Sequence, residues 1–130
     1  MDTLRFFVDC TFDDDPLREA MTADMLAVSK KMGFAQARIE SGGGAVCNAC
    51  DVLENPPALY VKPPKPALGS GCSWDFAATA CLFKEAGGYA REYGGGALEL
   101  NSSTHTFFNH CGICFASDVT LGQAFQAASK

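Results

Sequence analysis

Three groups of residues in this chain carry side chains or backbone groups that could do chemistry. Cys47-Asn-Ala-Cys50 and Cys111-Gly-Ile-Cys114 are C-x-x-C pairs, the spacing at which thiolates share a tetrahedral zinc or cycle as a redox dithiol. Ser41-Gly-Gly-Gly44 runs into the apolar stretch from Ala45 to Leu53. Gly43, Gly44 and Ala45 would thus offer free N–H groups at a helix start, a site for a hydroxyl or an anion, unless the glycines simply make a turn. Asp75 follows Trp74, the chain's single tryptophan, in Ser70-Gly-Cys-Ser-Trp-Asp-Phe-Ala-Ala-Thr-Ala-Cys-Leu-Phe-Lys-Glu-Ala-Gly-Gly88. At the mouth of a helix its carboxylate can accept the first free N–H groups and answer the helix dipole. The same placement would hold one oxygen toward a cation or a substrate.

The setting of the cysteines favours structure over metal. Sixty residues separate the two pairs, whereas the halves of a compact zinc ribbon lie roughly 15–20 apart. Cys47 and Cys50 fall in a helical stretch, and Cys114 falls in an apolar, strand-like run. Free cysteine packs as a small hydrophobe, so the expectation is reduced, metal-free thiols. His105 and His110 lie in a polar loop, where solvated histidines are the simpler reading.

The elements that must position these groups alternate along the chain. Leu4–Val8 reads as a buried strand. Asp13-Asp-Asp-Pro16 supplies an acid cap and a proline for a first helical position. Leu17, Met21, Met25, Val28 and Met32 then recur at helical spacing, with Gly33 as the stop. Phe34–Ile39 and Ala58–Val61 are strand candidates on either side of the Ala45–Leu53 helix. Lys62-Pro-Pro-Lys-Pro66 excludes helix and central strand and leads to the Trp74 stretch, whose helix from Phe76 closes at Gly87-Gly88. Tyr89–Glu92 and Ala97–Leu100 around Gly94–Gly96 predict a hairpin. Ile113–Ala116 is a last core strand, and Ser117 or Asp118 caps a final helix through Val119, Leu121 and Phe125. The alternation predicts one layered α/β/α domain over residues 1–130, with a largely parallel or mixed central sheet and helices on both faces.

Composition narrows the partners. With 130 residues, 48% hydrophobic and 19% charged, the chain can bury a core without staples. A net charge of −5 argues against nucleic acid as a partner, which a basic face would recognise. No apolar run nears the ~20 residues of a membrane span. Met1-Asp-Thr-Leu-Arg-Phe lacks the pattern of a secretory leader, so the expected location is cytoplasmic.

The stretch Trp74-Asp75-Phe-Ala77-Ala78, followed by Glu85-Ala-Gly87-Gly88, resembles the signature of the inositol monophosphatase-like phosphatases. That superfamily includes the bisphosphate nucleotidases and fructose-1,6-bisphosphatases. Ser41–Ala45 before a helix, Ala58-Leu-Tyr60, the triple-glycine hairpin and the terminal strand with its capped helix follow the same order, from Leu4 to Ala128. The resemblance implies that Asp75 is a ligand of a catalytic Mg²⁺. It also implies that Gly43, Gly44 and Ala45 line the organic part of a small phosphorylated metabolite, with Trp74, Ala77, Ala78, Gly87 and Gly88 supporting the motif. Hard Mg²⁺ takes a few carboxylate oxygens together with waters and phosphate oxygens, and a second such ion would activate water for phosphoryl transfer. A carboxylate fixed at a helix start suits that role, and capping and ligation are compatible.

The family's other metal motifs are absent from these 130 residues: a helix glutamate, a Gly-Asp…Glu segment, and Asp-Pro-Ile/Leu-Asp-Gly-Thr/Ser. Asp15-Pro16-Leu17 begins like the last, but Arg18 and Glu19 stand where Asp and Gly are needed. Leu68 occupies the place, seven residues before Asp75, where some members carry a substrate-contacting glutamate. The resemblance is therefore to the C-terminal, substrate-side half, and no catalytic set is complete in the chain. Three functions follow. The first is the C-terminal part of a Mg²⁺-dependent phosphomonoesterase, inactive alone and partnered by a missing N-terminal half or by a second copy. The second is a stand-alone α/β binding module without catalysis. The third is a zinc or thiol-redox protein built on the cysteine pairs.

Overall fold

The computed structural model describes residues 3–41, 44–63, 73–96 and 112–128. The first strand, β1 (Thr3–Val8), leads through a 3-10 turn at Cys10–Asp14 into helix α1 (Arg18–Lys31). Strand β2 (Gln36–Ser41), helix α2 (Ala45–Glu54), strand β3 (Ala58–Lys62) and helix α3 (Ser73–Glu85) follow. Short strands β4 (Tyr89–Arg91) and β5 (Ile113–Ala116) precede the last helix, α4 (Val119–Ala128). The five strands form one sheet in the order β2-β1-β3-β5-β4. β1 runs parallel to both β2 and β3, while β5 is antiparallel to β3 and to β4. The predicted α/β architecture with a mixed sheet is the observed one.

Strand alternation builds two cores. Leu4, Phe6 and Val8 of β1, Leu59 and Val61 of β3, and Cys114 and Ala116 of β5 meet Met21, Met25 and Val28 of α1 and Leu121 and Phe125 of α4. The intervening Phe7, Ala58, Tyr60, Ile113 and Phe115 meet Ala49 and Val52 of α2 and Phe83 of α3 on the opposite face. Because successive side chains point to opposite faces, a strand covered on both sides reads as unbroken apolar sequence. All five residues of β3 are buried.

Helix ends follow local chemistry, with two corrections to the sequence reading. Pro16 is not the first helical residue; it sits in a turn where Asp15 Oδ1 accepts the Leu17 N–H at 2.8 Å, and α1 begins at Arg18. Asp75 is not the N-cap of α3 but the third residue of that helix. The C-terminal stops are as expected. Gly33 (φ +84°) and Gly87 (φ +76°) each take the left-handed conformation after a helix. The Phe34 and Gly88 N–H groups then reach back to Ser29 O at 2.9 Å and Phe83 O at 2.7 Å, the Schellman pattern. Gly88 has a further reason to be glycine: a Cβ there would lie 2.9 Å from Ala116 O and 3.0 Å from the Phe83 ring. The expected strand at Phe34–Ile39 is shifted to Gln36–Ser41, because Phe34 is taken up in closing α1. Asp118 rather than Ser117 caps α4, accepting the Leu121 N–H at 2.9 Å, while Ser117 Oγ accepts the Ala58 N–H at 3.0 Å. The turn after β4 closes through Glu92 N–H to Gly96 O at 2.9 Å; its expected second strand, Ala97–Leu100, lies outside the described residues. Among the described residues no helix is long and apolar enough to cross a membrane.

Candidate functional site at the strand switch point

The chain leaves β1 through α1 to reach β2 on one side, then returns through α2 to reach β3 on the other. α1 and α2 cover opposite faces, so the ends of β1 and β3 frame the crevice where open α/β sheets receive ligands. A polar cluster stands there. Asp9, the residue after β1, accepts the Tyr60 hydroxyl at 2.8 Å and the Asn48 amide at 3.2 Å on Oδ1, and Lys62 Nζ lies 3.3 Å from its Oδ2. The Lys62 side chain is 10% exposed and that of Asp9 21%. Two elementary charges so nearly removed from water persist only when paired and hydrogen-bonded. Three residues from two elements, α2 and β3, converge on the carboxylate of one loop residue.

Asn48 lies in the first turn of α2, so its bond to Asp9 ties the helix N-terminus to the crevice. Gly44 is the N-cap of that helix, with extended backbone and no side-chain cap, and Ala45 is its first residue. The free N–H groups of the first turn therefore open at the same edge as Lys62. α3 follows β3 and packs beside α2. Its last turn lies at the far edge, where the Phe83 and Phe115 rings are 4.9 Å apart. Its first turn, carrying the backbone of Asp75, is accordingly on the crevice edge and on the α2 face.

The other expected site residues are placed as follows. Gly43 lies outside the described residues, as do the side chains of Ala45, Trp74, Asp75 and Ala77, so the carboxylate of Asp75 has no described contacts. Ala78 is exposed on α3, and Glu85 is the exposed last residue of that helix. Gly87 and Gly88 shape the turn from α3 to β4, away from the crevice. Among the described residues no three of His, Cys, Asp and Glu cluster to hold a metal ion. Cys47 is exposed and Cys50 half-buried on α2, while Cys114 is buried in β5 and burial pushes its thiol well above the ordinary range. Cys111, His105 and His110 lie outside the described residues.

Sequence reading did not single out Asp9, Asn48, Tyr60 or Lys62. The available signals were an acid directly after a buried strand and a lysine ending one. Neither points to the other until the sheet order is known.

No protein-family model matches the chain, and no curated protein does. Solved structures match over nearly its whole length. Inositol monophosphatase II from Staphylococcus aureus MSSA476 shares 16% identity at a TM-score of 0.63, over 95% of this chain and 38% of that one. The Zymomonas mobilis inositol monophosphatase, described for a flexible region at its active site, shares 18% identity at a TM-score of 0.59, over 98% and 42%. The enzyme from Anabaena (Nostoc) sp. PCC 7120 shares 14% identity at 0.58, over 97% and 44%. This chain spans about two fifths of those proteins, and its fold is that of one part of an inositol monophosphatase.

Proposed function

We propose that this chain is the C-terminal, substrate-side domain or fragment of a Mg²⁺-dependent phosphomonoesterase acting on a small phosphorylated metabolite, and that it is inactive without the N-terminal half. The observation that carries the reading is the fold match, which takes in nearly all of this chain but only 38–44% of each inositol monophosphatase. The Trp74–Gly88 motif adds chemical detail.

In this reading Asp75 contributes one carboxylate oxygen to Mg²⁺, an ion that would neutralise charge on a phosphate ester. The described donors do not complete such a site, so the remaining acids come from the N-terminal half. Gly43, Gly44 and Ala45 bind the metabolite through the first-turn N–H groups of α2. Lys62, held by Asp9 at the same edge, offers an ammonium donor beside those N–H groups.

The test is complementation. The chain is mixed with the N-terminal portion of the Staphylococcus aureus inositol monophosphatase, and Mg²⁺-dependent phosphate release is followed. Release from the mixture, its absence from either piece, and its loss with Asp75→Asn are expected. A pair that binds but releases no phosphate overturns the reading. It would favour a stand-alone binding module, which the Lys62 and α2 N-terminal crevice would serve without a metal. The partner in that case is a second copy or another protein, with neither nucleic acid nor membrane expected.

A further inference from the structure

The corner where helix α3 ends and helix α4 begins holds a cavity of about 270 Å³. Strand β4 and the glycine before it, Gly88 to Arg91, line it together with Lys84, Val119 and Gln123. Lys84 comes from the last turn of α3, while Val119 and Gln123 lie one turn apart on α4. Three elements thus build the cavity, and its strand is two places across the sheet from the strand of Lys62. The volume is just under the ~300 Å³ at which sites for drug-sized ligands begin, the scale of a small metabolite.

Both charged residues that line it are cations, Lys84 and Arg91, and neither forms an ion pair among the described residues. Lys84 is not needed to close its helix. The carbonyls of Leu82, Phe83 and Lys84 already accept the N–H groups of Ala86, Gly88 and Gly87 at 2.9, 2.7 and 3.3 Å. Arg91 is exposed but held in place. Its guanidinium carbon lies 5.9 Å from the centre of the buried Tyr89 ring, within cation–π range, and its Nη1 donates to Gly95 O at 3.4 Å. The acids nearest in sequence, Glu85, Glu92 and Asp118, do not line the cavity. Asp118 Oδ1 instead accepts the Leu121 N–H at 2.9 Å. Val119 is 45% exposed, an apolar side chain open to water beside two cations.

We propose that this corner binds a small organic phosphate, its charged group on Lys84 and Arg91 and its carbon part against Val119 and Ala90. Charge balance selects the headgroup. Two unpaired cations on one cavity match a phosphate monoester, which carries about −1.5 to −2 at neutral pH. The planar guanidinium can take two phosphate oxygens at once, and the ammonium meets a third as a point charge. The Gln123 amide supplies both a donor and an acceptor for a hydroxyl on the carbon part. A recess of this size with two cations suits a free metabolite, whereas nucleic acid needs an extended basic face. The inference rests on this corner alone and does not depend on the phosphatase reading.

Titration of the intact chain with phenyl phosphate, without added metal ion, tests it by two-dimensional amide NMR, with circular dichroism to check folding of each variant. Shifts at Gly88–Arg91 and Val119–Gln123 are expected, saturating with a dissociation constant on the order of a millimolar or below. Lys84→Gln and Arg91→Gln both fall at exposed positions, and the double variant K84Q/R91Q should weaken that binding on the order of tenfold or more. Amides of Gly44–Asn48 report any binding at the Lys62 crevice and should not respond to these substitutions. Inorganic phosphate, which lacks the carbon part, should bind more weakly. Shifts confined to the crevice, an affinity at this corner unchanged in K84Q/R91Q, or inorganic phosphate held as tightly as phenyl phosphate would each overturn the proposal.

Discussion

Lys62 Nζ and Asp9 Oδ2 lie 3.3 Å apart, joining the ends of two adjacent parallel strands at the point where the chain reverses its direction across the sheet. Asp9 also accepts the hydroxyl of Tyr60 and the amide of Asn48, so its removal leaves an ammonium and two dipoles without their common acceptor. Asp9→Ala should cost somewhat under the ~3 kcal/mol at which breaking a fully buried pair begins, because some contact with water remains. Tyr60→Phe should cost about 1 kcal/mol. Urea unfolding midpoints check both, and an Asp9→Ala protein as stable as wild type would remove the pair from any structural role.

Close packing sets the second expectation. A Cβ on Gly122 would run into the Tyr89 ring, whereas a Cβ on Gly94 would meet nothing within 4 Å. Gly122→Ala should therefore destabilise by about 1–3 kcal/mol through overpacking of α4 on β4, with Gly94→Ala near neutral. Thermal melts of the two variants beside wild type give the comparison.

Alkaline pH should unfold the protein in a defined window. Burial, with lesser help from nearby acids, pushes the Tyr93 hydroxyl up to about 12 from an ordinary 10, and burial pushes the Cys114 thiol up from 9. Both groups are neutral in the native and unfolded states below pH 9. Above that the unfolded chain loses protons first, so stability falls as pH rises through about 9 for the thiol and from 10 toward 12 for the phenol. Tyr93→Phe should flatten the upper part of the fall, read as urea midpoints at pH 8, 10 and 11.5.

Thiol chemistry distinguishes the cysteines. Cys47, Cys10 and Cys81 are exposed, and Cys114 is buried. A thiol-directed disulfide reagent should modify the first three in the native protein and reach Cys114 only on unfolding, because the thiolate is the reactive form. Metal analysis should return no zinc. About one zinc per chain would restore the third functional reading.

The sequence alone determined the elements and much of their order. Apolar runs at Leu4–Val8, Ala58–Val61 and Ile113–Ala116, helical spacing from Met21 to Val28, and glycine stops at Gly33 and Gly87 are local signals, because periodicity and backbone conformation act over a few residues. The Trp74–Gly88 motif likewise carried its resemblance in adjacent positions. What only the tertiary structure decided is which polar groups meet. Asp9, Asn48, Tyr60 and Lys62 are separated by as many as 53 residues along the chain, and nothing local marks one as the partner of another. Strand order brings them together: from β2 the chain crosses β1 and lays β3 along the other side of β1, a long-range pairing fixed by covering both faces of the sheet at once. The same packing set Lys84 of α3, Arg91 of β4 and Val119 of α4 around one cavity.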